Sequence, residues 1–320
     1  MSPARTLAVD VGGVVLPTPV IVAAGCAGTG RELGGLVDLR KVGAVVSRTI
    51  TVHARSGTSP PRIAESSAGI VWDTGLQNPG LAAFAATELT RLARGGVRVI
   101  VSIGGASLEG YVRLSSALQG RPEVAAIEIY LAGPDVELRR AVLGAHPDRV
   151  NEIVGAVARM SLVPVFAKIP GGSDDVVELA RAAVRAGATG VTLLGSPPAL
   201  GVDAARARAG RGVVHGWLSG PALKPITLRA LYDVASELPG IPLIASGGVR
   251  TGEDAVACML AGAWAVQVGT AMLVDPSSPV TIARGILRYL ERHGLRSTDE
   301  LRGRIVSPLP RGDDAGSIAG

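Results

Sequence analysis

Two short glycine ends late in the chain carry residue types that hold anions. Leu243-Ile244-Ala245-Ser246-Gly247-Gly248-Val249 is an apolar β-type run that stops on glycines before a helix-like stretch over Thr251–Ala261. Ala265-Val266-Gln267-Val268-Gly269-Thr270-Ala271 repeats the pattern one βα unit later. Bare glycine backbone lets an oxyanion reach main-chain N–H groups that a side chain would screen, and a helix N-terminus adds a favourable dipole. Glycine makes up 43 of 320 residues, so a lone Gly-Gly means little. Two such ends in succession, near the end of a chain of barrel length, match the phosphate site after strands seven and eight of a (β/α)8 barrel. They predict a phosphorylated cofactor.

A cation is the second candidate. Lysine occurs only as Lys41, Lys168 and Lys224, and every other base is Arg. Lys168 closes the apolar run Val163–Lys168 at the face where barrel enzymes build their sites. Burying an unpaired ammonium is costly, which favours a functional lysine there. Two cysteines, Cys26 and Cys258, make neither a disulfide framework nor a metal cluster, and Cys258 on an apolar helix face reads as core. His53, His146, His215 and His293 show no ligand spacing, so no metal is expected.

The elements that position these groups form an α/β chain, a (β/α)8 TIM barrel with an N-terminal β-hairpin over Leu7–Val15 turned at Gly12-Gly13. The expected strands are Val20–Ala24, Ala44–Thr49, Val97–Ser102, Ala125–Leu131, Val163–Lys168, Gly190–Leu194, Leu243–Ala245 and Ala265–Val268. Most are continuous apolar runs, as parallel strands buried on both faces require. Helical spacing of Arg and Glu marks Asp174–Ala186 and Pro225–Glu237 among the helices between them. Nothing divides the chain, so residues 1–306 are expected to form one domain, with the Gly-, Pro- and Asp-rich residues 307–320 a disordered tail. Long loops are expected at Ile50–Pro79, Ala132–Arg149 and Ser196–Gly220, all on the C-terminal face.

Bulk properties exclude several classes. Hydrophobic residues are 47% of the chain, enough for a large core. The net charge of +5 is scattered along helices without runs or interleaved aromatics, which argues against nucleic acid. No apolar run is of membrane-spanning length, and Met1–Asp10 lacks the apolar core of a signal peptide, so a cytoplasmic protein is expected.

Four segments together resemble the dihydroorotate dehydrogenase family: Gly75-Leu76-Gln77-Asn78-Pro79-Gly80, Leu218-Ser219-Gly220-Pro221-Ala222-Leu223-Lys224-Pro225, Ser246-Gly247-Gly248 and Val268-Gly269-Thr270. The similarity runs in order from about Leu7 to Pro276 and is nearest to class 1, type 1B. It implies an FMN-containing (β/α)8 barrel. The FMN phosphate falls at Gly247, Gly248, Gly269 and Thr270, with a further contact at Gly220. Lys168 matches the family's flavin lysine, whose charge would stabilise the N1–C2=O edge of the reduced ring. Ala23-Ala24-Gly25 matches the segment that runs along the flavin, with Ala24 where serine is usual, and leaves Cys26 as a loop or packing residue. Arg48, Thr49, Ser102, Tyr130 and Leu194 complete the cofactor set.

Departures from the pattern concern the substrate. After strand four the family carries an Asn-x-Ser-Cys-Pro-Asn type segment whose Cys, or Ser in the membrane-associated class, removes a substrate proton; this chain reads Tyr130-Leu131-Ala132-Gly133-Pro134-Asp135. Gly133 stands at the base position with no side chain, and Tyr130 and Asp135 replace asparagines. Gly195-Ser196 replaces Asn-Thr, Ser102 and Trp72 replace further asparagines, and Arg48 replaces a lysine. Each lost contact removes about 1 kcal/mol of binding, and the lost base roughly 10²–10⁴ in rate.

Aromatic residues are only 3% of the chain, yet Trp72, Tyr130 and Trp217 all fall on segments expected to face the flavin. They can simply fill space beside Gly133 and Gly195, or they reshape the pocket for a larger, flatter substrate. Tyr130 is a candidate to give or take a proton, although an ordinary phenol near pKa ~10 is a poor base at neutral pH. Asp135 and His53 are weaker candidates. Arg48 keeps positive charge near the flavin and suits a carboxylate or phosphate. The expected substrate surface is Trp72, Asp73, Thr74, Gly75, Leu76, Asn78, Gly133, Asp135, Gly195, Ser196 and Trp217. The leading expectation is an FMN-dependent oxidoreductase moving a hydride between flavin N5 and a C–C bond beside a carbonyl of a small molecule other than dihydroorotate, with Lys168, Arg48 and Tyr130 catalytic. The alternatives are a genuine dihydroorotate dehydrogenase of pyrimidine synthesis and an FMN-binding protein without turnover. A homodimer is expected. Type 1B members work with an iron–sulfur flavoprotein, but no residue here marks a surface for it.

Overall fold

The computed structural model describes residues 5–132, 143–173, 175–207 and 212–305. Its strands in chain order are β1 (Val9–Val11), β2 (Val14–Leu16), β3 (Val20–Val22), β4 (Ala44–Val46), β5 (Ile63–Ser66), β6 (Gly69–Trp72), β7 (Val99–Ile103), β8 (Val124–Tyr130), β9 (Val165–Lys168), β10 (Gly190–Leu193), β11 (Pro198–Val202), β12 (Val213–Ser219), β13 (Leu243–Ser246) and β14 (Ala265–Val268). Eight of them close a parallel barrel in the order β10-β13-β14-β3-β4-β7-β8-β9, and helices such as Leu108–Leu118, Pro147–Met160 and Lys224–Glu237 surround it. The fold is the expected (β/α)8 barrel, and each barrel strand lies within two residues of its expected bounds except for the earlier stop at β4.

The hairpin β1–β2 pairs antiparallel and turns at Gly12-Gly13. Gly12 takes φ +61°, and a Cβ there would lie 2.5 Å from Thr189 Cγ2 and 3.3 Å from Pro242, residues that immediately precede β10 and β13. The hairpin therefore closes the N-terminal mouth. Its Val9, Val11, Val14 and Leu16 pack against Ile21, Ala44, Val46, Ile100, Ala126, Phe166, Ile244 and Ala265, which fill the lumen.

Side chains two apart on a strand share a face, and that period raises the site from the lumen. Moving toward the C-terminal mouth, Val46 gives way to Arg48, Ile100 to Ser102, Ala126 to Glu128 and then Tyr130, Phe166 to Lys168, Ile244 to Ser246, and Ala265 to Gln267. A polar layer thus rests directly on an apolar floor.

The loops after β4 and β10 are not loops throughout, as the sequence led us to expect. They contribute β5, β6, β11 and β12 to a second, antiparallel sheet of order β11-β12-β6-β5 above the barrel. Val71, Gly201 and Val214 are its buried residues, while Ile63, Leu200, Val202 and Val213 lie exposed. Gly133, Asp135 and most of the expected loop after β8 lie outside the described residues, as do residues 306–320. Among the described residues, no helix is long and apolar enough to cross a membrane.

Candidate active site

Lys168 is the centre of the polar layer. Its Nζ donates to Gln267 Oε1 at 2.7 Å and stands 3.5 Å from Glu128 Oε1. Thr192 Oγ1 donates to Glu128 Oε2 at 3.0 Å, and Gln267 Nε2 donates to the same oxygen. Glu128, Thr192 and Gln267 are enclosed, and Lys168 is 8% exposed. The network orients Lys168 from below and leaves ammonium donor capacity for the mouth. Glu128, Thr192 and Gln267 were absent from the sequence-derived site. Glu128 had a usable signal, since it is the single charge in the run Val124–Tyr130, where an unpaired carboxylate would be prohibitive.

Arg48 turns toward the other side. Its Nε lies 3.3 Å from Glu88 Oε2 without the alignment of a hydrogen bond, and its Nη1 donates to Gln77 O at 3.5 Å. Glu88 ends a π-helical turn, Phe84–Glu88, a local widening frequent near functional sites. Burial raises the Glu88 carboxyl above its ordinary value against the opposing charge of Arg48, and Glu32 adds to the rise. Arg48 is therefore a partly neutralised cation rather than a free clamp.

Tyr130 pairs in register with Lys168. A Cβ built on Gly104 would meet its ring at 3.7 Å, and Tyr111 Oη donates to its carbonyl at 2.6 Å. Burial pushes its phenol up to about 12, and the Asp73 carboxylate acts in the same direction. Cys26 sits beside Gly269, its Sγ 3.6 Å from where a Cβ of that residue would stand. Burial holds its thiol up at about 11 despite the Lys168 charge.

The two glycine ends follow β13 and β14 at the C-terminal mouth of the barrel. Among the described residues, the backbone N–H groups of Gly247, Gly248, Gly269 and Thr270 donate to no protein acceptor. Thr270 Oγ1 donates to Ser219 Oγ at 2.9 Å, which ties the last turn to β12. The helix that follows β13, Gly252–Leu260, opens on a capping box: Thr251 Oγ1 accepts from Asp254 N, and Asp254 Oδ2 accepts from Arg250 N and Thr251 N. The sequence reading gave that helix end to the anion. The capping box takes the N–H groups of Arg250, Thr251 and Asp254, while those of Gly252 and Glu253 donate to no protein acceptor among the described residues, so the helix end stays beside the two turns as a candidate donor. The four free N–H groups fit the phosphate of a nucleotide-type cofactor.

Asp254 also receives Lys224 Nζ at 2.7 Å. Burial opposes its ionisation, but the Lys224 hydrogen bond, the two backbone N–H groups and the Lys224 charge outweigh it and hold the carboxyl below its ordinary value. A depressed carboxyl stabilises the fold above the unfolded-state pKa of ~3.9 and loses that contribution as pH falls through the folded-state value. We expect Asp254→Asn to cost about 1 kcal/mol at pH 7, with the variant and the parent converging in acid; urea denaturation at pH 7 and pH 3 measures both.

On the upper sheet, Trp217 stands directly opposite Trp72, flanked by Pro198 and Ile63. Cross-strand partners share a face, and Ser219, two residues past Trp217, reaches Thr270 on that same face. The tryptophans thus line the side of the sheet continuous with the cradle. The segment after β6 is held tightly. Asp73 Oδ1 accepts from Gly75 N at 2.7 Å, Leu76 takes φ 53°, and Arg55 Nε donates to Gly75 O at 3.0 Å. Thr74 O accepts from Thr58 N and Gln77 N. Asn78 spends its amide inside this segment, donating to Thr51 Oγ1 and Leu76 O and accepting from Gly80 N. Ser102 is fully enclosed and shares a 2.9 Å hydrogen bond with Thr49 Oγ1. Leu194 and Gly195 are buried, their N–H groups donating to Ser246 O and Ile169 O, while Ser196 is partly open. Gly220, at φ +115°, packs against Gly69. Ala24 is half-buried against the lumen core, Gly25 is exposed, and a Cβ on Gly25 would meet nothing within 4 Å. His53 is exposed. The structure therefore gathers Lys168, Tyr130, Arg48, the glycine turns and the first-strand segment at one mouth, with Ser102 and Asn78 in supporting positions.

A closed parallel barrel with a buried lysine and free main-chain donors at its C-terminal mouth is the architecture of a barrel that takes a phosphorylated ligand there. The chain belongs to the dihydroorotate dehydrogenase family: the family model, described as dihydroorotate dehydrogenase, matches residues 6–290. It is similar to the protein named dihydroorotate dehydrogenase B (NAD(+)), catalytic subunit, of Desulforudis audaxviator, 40% identical over 296 residues covering 92% of this chain and 96% of the relative. Proteins of the same name from Geotalea uraniireducens, 38% identical over 301 residues with 94% and 98% covered, and Endomicrobium trichonymphae, 38% over 299 residues with 93% and 97% covered, are further relatives. The enzyme class is that of oxidoreductases acting on CH–CH groups.

Proposed function

We propose that the chain is an FMN-dependent oxidoreductase acting on a small molecule other than dihydroorotate. Bound FMN supplies two-electron hydride chemistry at its N5. The N–H groups of Gly247, Gly248, Gly269 and Thr270 hold the phosphate, and Gly25 leaves room for the ring system. Lys168, fixed by Gln267 and Glu128, stabilises negative charge at the ring edge. The Trp72–Trp217 pair supplies a flat apolar wall, and substrate enters beside Asp73, Thr74 and Ser196. Trp and Tyr in place of amide side chains favour a larger, flatter and less polar molecule. One observation carries the changed substrate: Gly133, Tyr130, Trp72 and Gly195-Ser196 stand where the family has its base and its hydrogen-bonding side chains.

A second reading, genuine dihydroorotate oxidation, is favoured by 40% identity to a named catalytic subunit along nearly its whole length. The relatives' name implies a partner subunit for them; for this chain we propose a cytoplasmic homodimer built from one domain over residues 1–306. The two readings separate in one experiment. The purified protein is expected to be yellow with about one FMN per chain, and anaerobic dihydroorotate is expected to bleach it at least ~10²-fold more slowly than a competent family member. Rapid bleaching would establish the second reading, and colourless protein that FMN does not reconstitute would end the first.

A further inference from the structure

Lys168 reaches its two acceptors unequally. Its Nζ stands 2.7 Å from Gln267 Oε1 but 3.5 Å from Glu128 Oε1, and the second distance exceeds the ~2.7–2.9 Å of a charge-assisted hydrogen bond. The opposite charge is thus the farther partner, and a neutral amide is the nearer one. Gln267 holds both members of the pair, since its Oε1 accepts from Lys168 and its Nε2 donates to Glu128 Oε2. It comes from β14, which stands across the barrel from β8, four strands away in either direction, so its amide spans the lumen. Glu128 pairs in register with Phe166 and lies one layer below Lys168, which is level with Tyr130. Two residues beyond Gln267, the same strand runs into Gly269 and Thr270, the second turn of the cradle. The amide therefore draws the ammonium toward the cradle side of the mouth and away from the carboxylate beneath it.

We propose that Gln267 is a positioning residue that keeps the Lys168 ammonium from closing onto Glu128, and that it thereby sets how much positive charge reaches the flavin ring edge. The role deepens the FMN reading and rests on it. Without the amide, an advance of ~0.7 Å gives Nζ a charge-assisted bond to Glu128 Oε1. The nearer carboxylate then cancels more of the cation's field at the mouth, and in an enclosed site that field is poorly screened. Glu128 and Gln267 consequently act on the cofactor with opposite sign, although both belong to one network and both touch Lys168.

The test is titration of holoprotein with sulfite, which adds to oxidised flavin at N5 and leaves negative charge on the N1–C2=O edge, so its affinity reads the positive charge there without turnover. Gln267→Met should weaken sulfite binding by roughly 3–10-fold, a fall of about 15–30 mV if the two-electron flavin potential follows. Gln267→Asn keeps an amide but is one methylene short of both partners, and it should shift the same way if the Met variant does not fold. Glu128→Gln should tighten sulfite binding by ~10-fold or more. In the Glu128→Gln background no carboxylate is left for the lysine to meet, so Gln267→Met should then change the affinity by less than ~2-fold, the signature of coupled residues. Shifts of one sign in Gln267→Met and Glu128→Gln, an unchanged affinity in the Gln267 variants, or a full Gln267 effect without the carboxylate would each overturn the proposal. A parent protein that takes up no FMN would instead overturn the reading beneath it. The placement of Lys168 is still measurable then, because the chain has only three lysines. Acetic anhydride labelling of the flavin-free chain, with Lys41 and Lys224 as internal references, should acylate Lys168 at least ~3-fold more slowly in Gln267→Met and faster in Glu128→Gln, since a nearer counter-charge holds the amine protonated. Equal labelling in parent and variants would overturn the proposal on its own.

Discussion

Lys168→Met is expected to lower both stability and activity. The ammonium is the only cation within reach of the Glu128 carboxylate among the described residues, at 3.5 Å, and Glu128 is 1% exposed. Deleting one partner of a buried ion pair leaves a charge without compensation, a cost of about 3–5 kcal/mol, set against a total stability of about 5–15 kcal/mol for an ordinary domain. Thr192 and Gln267 still donate to Glu128 Oε2, but neutral donors do not replace the charge. Loss of the preorganised cation should also slow flavin reduction or reoxidation by roughly 10²–10³. The two effects are separable. Lys168→Met combined with Glu128→Gln keeps an acceptor for Thr192 and Gln267 while removing the stranded charge, so most of the stability should return. The rate should not return, because the cation is still missing. Urea denaturation and stopped-flow flavin absorbance on both variants measure this. Equal recovery of stability and rate would show that Lys168 acts only through the fold.

Lys168 also shows where sequence reading succeeds and where it stops. A lone lysine at the end of an apolar run is visible because the environment of a parallel strand is implied by its own composition. The barrel was legible for the same reason, since eight buried strands each announce themselves locally. The partners of Lys168 were harder. Gln267 lies 99 residues away and is brought to it only by barrel closure, which no local pattern encodes. The upper sheet stayed hidden because β5 and β6 are four residues each and β12 pairs with β6 across nearly half of the chain; Trp72 and Trp217 therefore read as residues of two unrelated loops. Their direct opposition exists only in three dimensions. At the glycine ends, residue type located the turns. The sequence Thr251-Gly252-Glu253-Asp254 also carried a capping signal, and the capping box it forms engages Arg250 N, Thr251 N and Asp254 N.

Gly248→Ala should remove the cofactor and a large part of the stability together. Gly248 adopts φ +80°, and a Cβ there would lie 2.3 Å from Lys224 N and 2.6 Å from Lys224 Cα. These are backbone atoms at the start of the helix Lys224–Glu237, so no side-chain rotation relieves the overlap. Left-handed backbone at a non-glycine residue costs about 1–2 kcal/mol, and overpacking adds about 1–3 kcal/mol. The alternative is displacement of the turn, which moves the N–H groups of Gly247 and Gly248 that the phosphate needs and pulls on the Lys224–Asp254 contact at 2.7 Å. Gly240→Ala is the matched control. Gly240 has φ +85° and meets nothing within 4 Å, so it carries the backbone strain without the collision and lies far from the cradle. We expect Gly240→Ala to lose about 1–2 kcal/mol and keep its FMN, and Gly248→Ala to lose at least twice as much and purify with little FMN. Thermal unfolding and the flavin-to-protein absorbance ratio compare them. Full FMN occupancy in Gly248→Ala would mean that the phosphate is held elsewhere, and the cradle assigned to the two turns would have to be abandoned.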